Sequence, residues 1–254
     1  MDKRIGAQLY TVRDLCTTPE GFKNTIKRLA ETGFKTVQLS GIGEGAGSAK
    51  ELKAVFDEYN IEVIGTHRPI QNYIENINGE IEFHKALDTK IAGVGWLPPE
   101  YRTDANVLKD TINKFNKASR ELNKEGITLA WHNHGFEFSK IEDNKTIMDI
   151  ILDEAEFDLI LDAYWLAYVG IDPARFIKKA GKRVAIVHFK DIRVLSDNSV
   201  EYAEIGEGNI IWKEVIKASK KARYAVIEQD TCHGNPVDSL KMSYDYLTKN
   251  FNLI

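Results

Sequence analysis

The sequence predicts an α/β protein closed into a (β/α)8 TIM barrel. Three observations point there. Eight short apolar runs alternate with segments of helical spacing, the repeat is about 30 residues long with no long linker or low-complexity tract, and the late runs each lead into an ionisable residue. A chain of 254 residues suits one barrel domain spanning 1–254, because barrels of this kind use about 250 residues. An open doubly wound sheet is the competing architecture, and eight regular units favour closure.

In chain order, the first run covers residues 4–10 and leads into a helix whose apolar face is Phe22, Ile26, Leu29 and Ala30. Pro19 opens that helix, where a missing backbone donor costs little, and Gly33 stops it as a left-handed cap. Runs at 36–40, 61–66 and 91–97 follow as strands two to four. Val107, Leu108, Ile112, Phe115 and Leu122 then line one face of a long helix that Gly126 ends. Strands five to eight are expected at 127–131, 157–161, 184–187 and 224–227, with Pro173 and Pro236 near two later helix starts. The charges of 109–124 and 213–221 recur at helical spacing and describe solvated outer faces.

Composition excludes several function classes. With 43% hydrophobic and 28% charged residues the chain is ordinary for a soluble protein, and no window approaches the roughly 18 apolar residues of a membrane span. The start, MDKRIGAQLY, has no long apolar stretch of a secretory signal, so a cytoplasmic location is expected. Cys16 and Cys232 lie far apart and suggest neither a disulfide framework nor a zinc ribbon. A net charge of −4 offers no basic face for nucleic acid or an anionic membrane. Oligomeric state is open, with a homodimer the commonest prior.

The chemistry concentrates in WHNHGFEF, residues 131–138, which sets His132, His134 and Glu137 just past strand five. Asp162 after FDLIL, His188 after VAIV and Glu228 after YAVI are each the first ionisable residue beyond the next three strands. Barrel chemistry gathers at strand carboxyl ends, so Glu137, Asp162, His188 and Glu228 are expected to converge on one metal ion. Any one of them alone has a structural explanation, and Asp162 in particular could cap a helix. Three carboxylates and one imidazole form an oxygen-rich set that suits Mn²⁺ first, then Mg²⁺ or Co²⁺, with Zn²⁺ as a further candidate.

The pieces IGAQLYTVRD, IGTHRPI, WHNHGFEF, LILDAYWLAYVG, VHFKDI, IGEGNIIW and VIEQD resemble the sugar phosphate isomerase/epimerase group of the xylose isomerase-like barrels, in order from residue 5 to residue 230. The resemblance extends to inosose dehydratases, dehydroshikimate dehydratases and enzymes acting on 3-keto-glycosides. It implies one divalent cation held by Glu137, Asp162, His188 and Glu228. Many members carry a glutamate directly at the end of strand five, where this chain has His132. Glu137 must therefore fold back from the loop, or His132 must replace it as ligand. The HNH-x-x-E subgroup that the sequence resembles favours Glu137.

Such a cation would stabilise an enediolate, making proton abstraction beside a sugar carbonyl feasible for a weak base. Glu137 and Glu228 are the expected acid–base pair, with His134 or His132 as the alternative. The outcome is an epimer, an aldose–ketose isomer or, if a β-oxygen leaves, a lyase product. Gln8, His67, His132, Trp165, Lys190 and Asp191 are candidate contacts for a small-molecule carbohydrate. Gly206 and Gly208 permit a tight loop after strand seven of a kind that sometimes receives phosphate, though no arginine cluster accompanies it. Specificity is expected in the loop 68–82. Two other classes compete. A DNA-repair endonuclease of the related barrels needs more histidines than the six here, and a non-catalytic sugar-binding barrel has no need of intact ligand positions. The WHNH string is not read as an HNH nuclease, whose metal site sits on a different, small fold.

Overall fold

A computed structural model describes residues 5 to 251. Its strands and helices alternate as β1 (Ile5–Gln8), α1 (Pro19–Thr32), β2 (Thr36–Leu39), α2 (Ala49–Glu58), β3 (Glu62–Thr66), α3 (Ile70–Glu75), α4 (Ile77–Ala86), β4 (Ile91–Val94) and α5 (Ala105–Lys124). The second half continues with β5 (Thr128–His132), α6 (Ile147–Glu154), β6 (Asp158–Asp162), α7 (Ala163–Tyr168), α8 (Pro173–Ala180), β7 (Val184–Phe189), α9 (Trp212–Ala218), β8 (Tyr224–Ile227) and α10 (Pro236–Phe251). The strands form one eight-stranded parallel sheet in the order β3-β2-β1-β8-β7-β6-β5-β4. A parallel bridge between Arg68 and Val94 joins its two ends, so the sheet curls into a nearly closed barrel.

All eight expected strands are present. The first is shorter than its apolar run, because the chain turns into a 3₁₀ segment at Leu9–Leu15; Arg4, which opened the expected run, lies outside the described residues. Two antiparallel hairpins were not foreseen, one pairing Lys140–Glu142 with Lys145–Thr146 and one pairing Asp191–Val194 with Val200–Ala203. The helix punctuation holds. Thr18 accepts from the Gly21 amide ahead of Pro19, and Gly33 closes α1 at φ 113°, a conformation open to glycine at little cost. Leu108, Ile112, Phe115 and Leu122 are fully buried along α5 and pack its apolar face onto the sheet. Each such side chain contributes about 1.5–3 kcal/mol of transfer free energy. No helix of the described residues is long and apolar enough to cross a membrane.

Inside the barrel, Ile64, Ile91, Ala130, Ile160, Ile186 and Val226 form a separate apolar layer. Side chains on a strand alternate between faces, so the residue two positions later points to the same interior, one step nearer the carboxyl end. Two register shifts adjust this count. Between β2 and β3 the pairing jumps from Val37↔Val63 to Gln38↔Gly65, and between β6 and β7 from Leu159↔Val184 to Ile160↔Ile186. Each is a bulge that re-aims the side chains beyond it. After the first, Thr66 points out to His84 of α4, its hydroxyl 2.8 Å from the ring, and His67 turns inward. After the second, His188 turns inward above Ile186.

Candidate metal centre and cavity

Above the apolar layer the same strand faces become polar. Ala130 is followed by His132, Ile160 by Asp162, Ile186 by His188 and Val226 by Glu228, all four no more than 5% exposed. Each offers one ligand atom, and these atoms lie within 4.8 Å of one another. His132 Nε2 is 3.4 Å from Asp162 Oδ2, and His188 Nδ1 is 3.9 Å from the same oxygen and 2.5 Å from Glu228 Oε2. All four atoms are buried yet lack a hydrogen-bond partner; the shortest contact does not have the alignment of a hydrogen bond. Leaving buried polar atoms unpaired costs about 1–3 kcal/mol each, so their convergence on one point calls for an electron-pair acceptor. Two imidazoles and two carboxylates fit a divalent cation chemically.

This set differs from the expected one at a single position. Glu137 does not join it, and His132 takes the strand-five place. β5 ends at His132, two residues above the inward-facing Ala130, whereas Glu137 sits in a 3₁₀ turn beyond it. There its carboxylate accepts from the His134 amide at 2.7 Å and from Trp131 Nε1 at 3.2 Å. Burial pushes its carboxyl up to about 7. Glu137 also lies outside the cavity lining, so its expected acid–base role is not supported by its placement. What it does hold is the loop bearing His134. Asn133 ties that loop to β6 by accepting from the Asp162 amide at 3.0 Å.

Asp162 combines both of its possible roles. Oδ1 caps α7 by accepting from Tyr164 and Trp165 amides at 2.8 and 3.2 Å, while Oδ2 faces the cluster. Burial raises its pKa, against the pull of Lys190. Burial also opposes the charge on Glu228, yet the Lys190 ammonium holds its carboxyl well below the usual carboxylate range. Desolvation drives His132 and His134 toward the neutral form. Burial takes His132 down to about 3 and His134 to about 2.

Lys190 is 1% exposed, with Nζ 2.9 Å from Asp230 Oδ1 and 3.7 Å from Asp162 Oδ2, and it faces the rings of Tyr202, Trp165 and Tyr164. Burial works against its charge, but Glu228, Asp162 and Asp230 outweigh that and raise its pKa above the ordinary lysine range. Asp191 does not contact the cavity as expected. Its two oxygens accept from the Ile192, Ile210 and Gly206 amides and from Trp212 Nε1, which stitches the loop after β7 together. A Cβ on Gly208 would come within 2.3 Å of Asp191 Oδ1, so this carboxylate fills the glycine loop considered for phosphate.

The cluster opens into a cavity of about 610 Å³ at the carboxyl ends of the strands. Glu228, His132, His134, His67 and Lys190 line its base, and Tyr10, Arg68, Trp96 and Asp230 its walls. The His67 ring lies tilted against those of His132 and His188, with centroids 4.9 and 5.3 Å away. Trp165 stands just behind the lining, 5.4 Å from the His134 ring. Three further ring nitrogens, His67 Nε2, His134 Nδ1 and Trp165 Nε1, are buried without partners. Arg68 is pinned by a bidentate pair with buried Glu80 at 3.0–3.2 Å. Gln8 is buried at the end of β1 and bonds Gln38 rather than facing the lining. Residues 68–71 of the loop expected to set specificity do line the cavity. Sequence reasoning missed Gln38, Asn133 and Asp230; Asp230 was findable, lying two residues past Glu228.

Comparisons with known proteins agree with the barrel fold. The family model described as Xylose isomerase-like TIM barrel matches residues 26–249. An inosose dehydratase of Mesomycoplasma hyopneumoniae is 26% identical over 89% of this chain and 87% of its own length. The structure of a sugar phosphate isomerase/epimerase from Parabacteroides distasonis superposes with a TM-score of 0.82 at 18% identity, covering 100% of this chain and 96% of that one. A D-allulose 3-epimerase from Methylomonas sp. gives 0.72 at 14% identity, covering 98% of each chain. At these identities the two structures share the fold.

Proposed function

Since the chain belongs to the xylose isomerase-like TIM barrel family, we propose that it is a divalent-metal-dependent enzyme that moves a proton beside the carbonyl of a carbohydrate, as an isomerase or epimerase. The observation that carries this reading is the meeting of His132, Asp162, His188 and Glu228 at the base of an open cavity, with four buried ligand atoms unpaired. Mn²⁺, Co²⁺ or Zn²⁺ suits two imidazoles with two carboxylates, and such a cation would supply Lewis-acid stabilisation of the developing negative charge.

The chain's own groups then divide the work. Glu228, held ionised and lining the cavity, accepts the proton. His134, kept neutral by burial, offers a donor on one nitrogen and an acceptor on the other from the same cavity. Lys190 keeps its charge and donates to the oxygen on which negative charge builds. The unpaired Nε2 of His67, which lines the cavity, is suited to a hydroxyl group. Charge favours an uncharged sugar over a phosphate ester. Arg68 is committed to Glu80, while Glu228 and Asp230 add negative charge to the lining. A phosphate dianion would meet like charge there.

A dehydratase is the second reading, favoured by the inosose dehydratase relative and sharing the same first step. Metal analysis followed by incubation of keto-sugars and an inosose in D₂O separates the outcomes. Deuterium entering carbon beside the carbonyl, lost in Glu228→Gln, is the expected result. Loss of water from the product assigns the lyase, and bound metal with neither exchange nor elimination on any keto compound sinks both.

A further inference from the structure

Beyond that proposed activity, we infer that Gln38, backed by Gln8, is a positioning residue that decides which nitrogen of His188 is free to meet a cation. Gln8 and Gln38 are aligned on adjacent strands and are both fully buried. His188 Nε2 lies 2.7 Å from Gln38 Oε1, and Gln8 Nε2 donates to that same oxygen at 3.0 Å. The sense of this chain is set by backbone groups at its two ends. Gln38 Nε2 faces the Thr66 carbonyl at 3.4 Å, which can only accept, and Gln8 Oε1 faces the Tyr10 amide at 3.5 Å, which can only donate. Turning either amide over would set donor against donor or acceptor against acceptor.

Gln38 therefore presents oxygen to His188, and the ring must carry hydrogen on Nε2. A neutral imidazole bears one such hydrogen, which leaves the lone pair on Nδ1. Nδ1 is the atom that lies 2.5 Å from Glu228 and 3.9 Å from Asp162, inside the cluster. The register shift of the bulge sets Gln38 beside Gly65, where a Cβ would come within 3.0 Å of Ile186 Cδ1. An amide is also the economical acceptor here. A carboxylate would add another buried charge beside Asp162 and Glu228.

The test reads hydrogen position and metal affinity rather than turnover. In protein labelled with ¹⁵N-histidine, the His188 signal, assigned by its loss in His188→Gln, should show hydrogen on Nε2 both without and with Mg²⁺. By calorimetry with Mn²⁺ alone, Gln38→Leu should bind about 10- to 100-fold more weakly, the range for losing an outer partner of a metal-bound histidine, and Gln38→Glu should restore binding. Hydrogen found on Nδ1 with Nε2 bare, or Gln38→Leu binding as tightly as the wild type, overturns the inference. If Gln38→Leu fails to fold by circular dichroism, the wild-type spectrum decides alone. A wild type that binds no divalent cation overturns the metal-site reading as well, whereas a bound cation with the wrong hydrogen position overturns only this one.

Discussion

At position 132 an imidazole stands where a strand-end carboxylate was anticipated from further along the loop. The reason is periodic: Ala130 faces the interior, so His132 does too. Glu137 spends both oxygens on its own loop, and the two residues should part company on mutation. His132→Ala is expected to weaken Mn²⁺ binding by more than the roughly 10- to 100-fold loss seen for outer partners. Glu137→Leu should leave Mn²⁺ binding intact and lower stability by about 1–3 kcal/mol, because the His134 amide and Trp131 indole lose their acceptor. Calorimetry and chemical denaturation distinguish the pair. Asp162, His188 and Glu228 were legible in the sequence as first ionisable residues past apolar runs. The difference between His132 and Glu137 was not, because it depends on how tightly residues 133–138 turn.

Among the elements, α7 begins on a cluster residue, and that double duty is separable. Asparagine caps a helix about as well as aspartate, so Asp162→Asn should hold cation-free stability within about 1 kcal/mol of the wild type. Its Mn²⁺ affinity should nonetheless fall, since the amide brings no charge to the cluster; thermal melts without metal and titration with it check both halves. The strands themselves were readable because their apolar runs are short and glycines punctuate the helices between them. The two hairpins were not. Strands of two to four half-exposed residues, such as Lys145–Thr146 or Val200–Ala203, carry too little alternation to stand out from loop. Asp191 was misread for a related reason, since its partners at Gly206, Ile210 and Trp212 come together only once that loop closes on itself.

For the molecule as a whole, several imidazoles are buried in the neutral state. His67, His84, His132 and His134 all have pKa values pulled below the ordinary 6.5, desolvation being the leading cause in each. Depressed folded-state values mean the unfolded chain takes up protons first as the pH drops. The stability they provide is thus complete above about pH 6.5 and drains away toward the folded values, at about 1.4 kcal/mol per pH unit for each histidine then titrating. Guanidinium midpoints of the metal-free protein at pH 7.5 and 5 should show the lower pH markedly less stable, and equal midpoints would contradict it.

The bulges in β3 and β7 give the barrel a frame that is read by counting. One residue too many at Ala185–Ile186 is what sets the phase of everything after it. Deleting a single alanine there would rotate His188 toward the helices while every ligand in the sequence survived, so a protein with an intact list of ligands would be blind to metal. In this fold, parity of spacing is as much a part of the binding code as the identity of the letters.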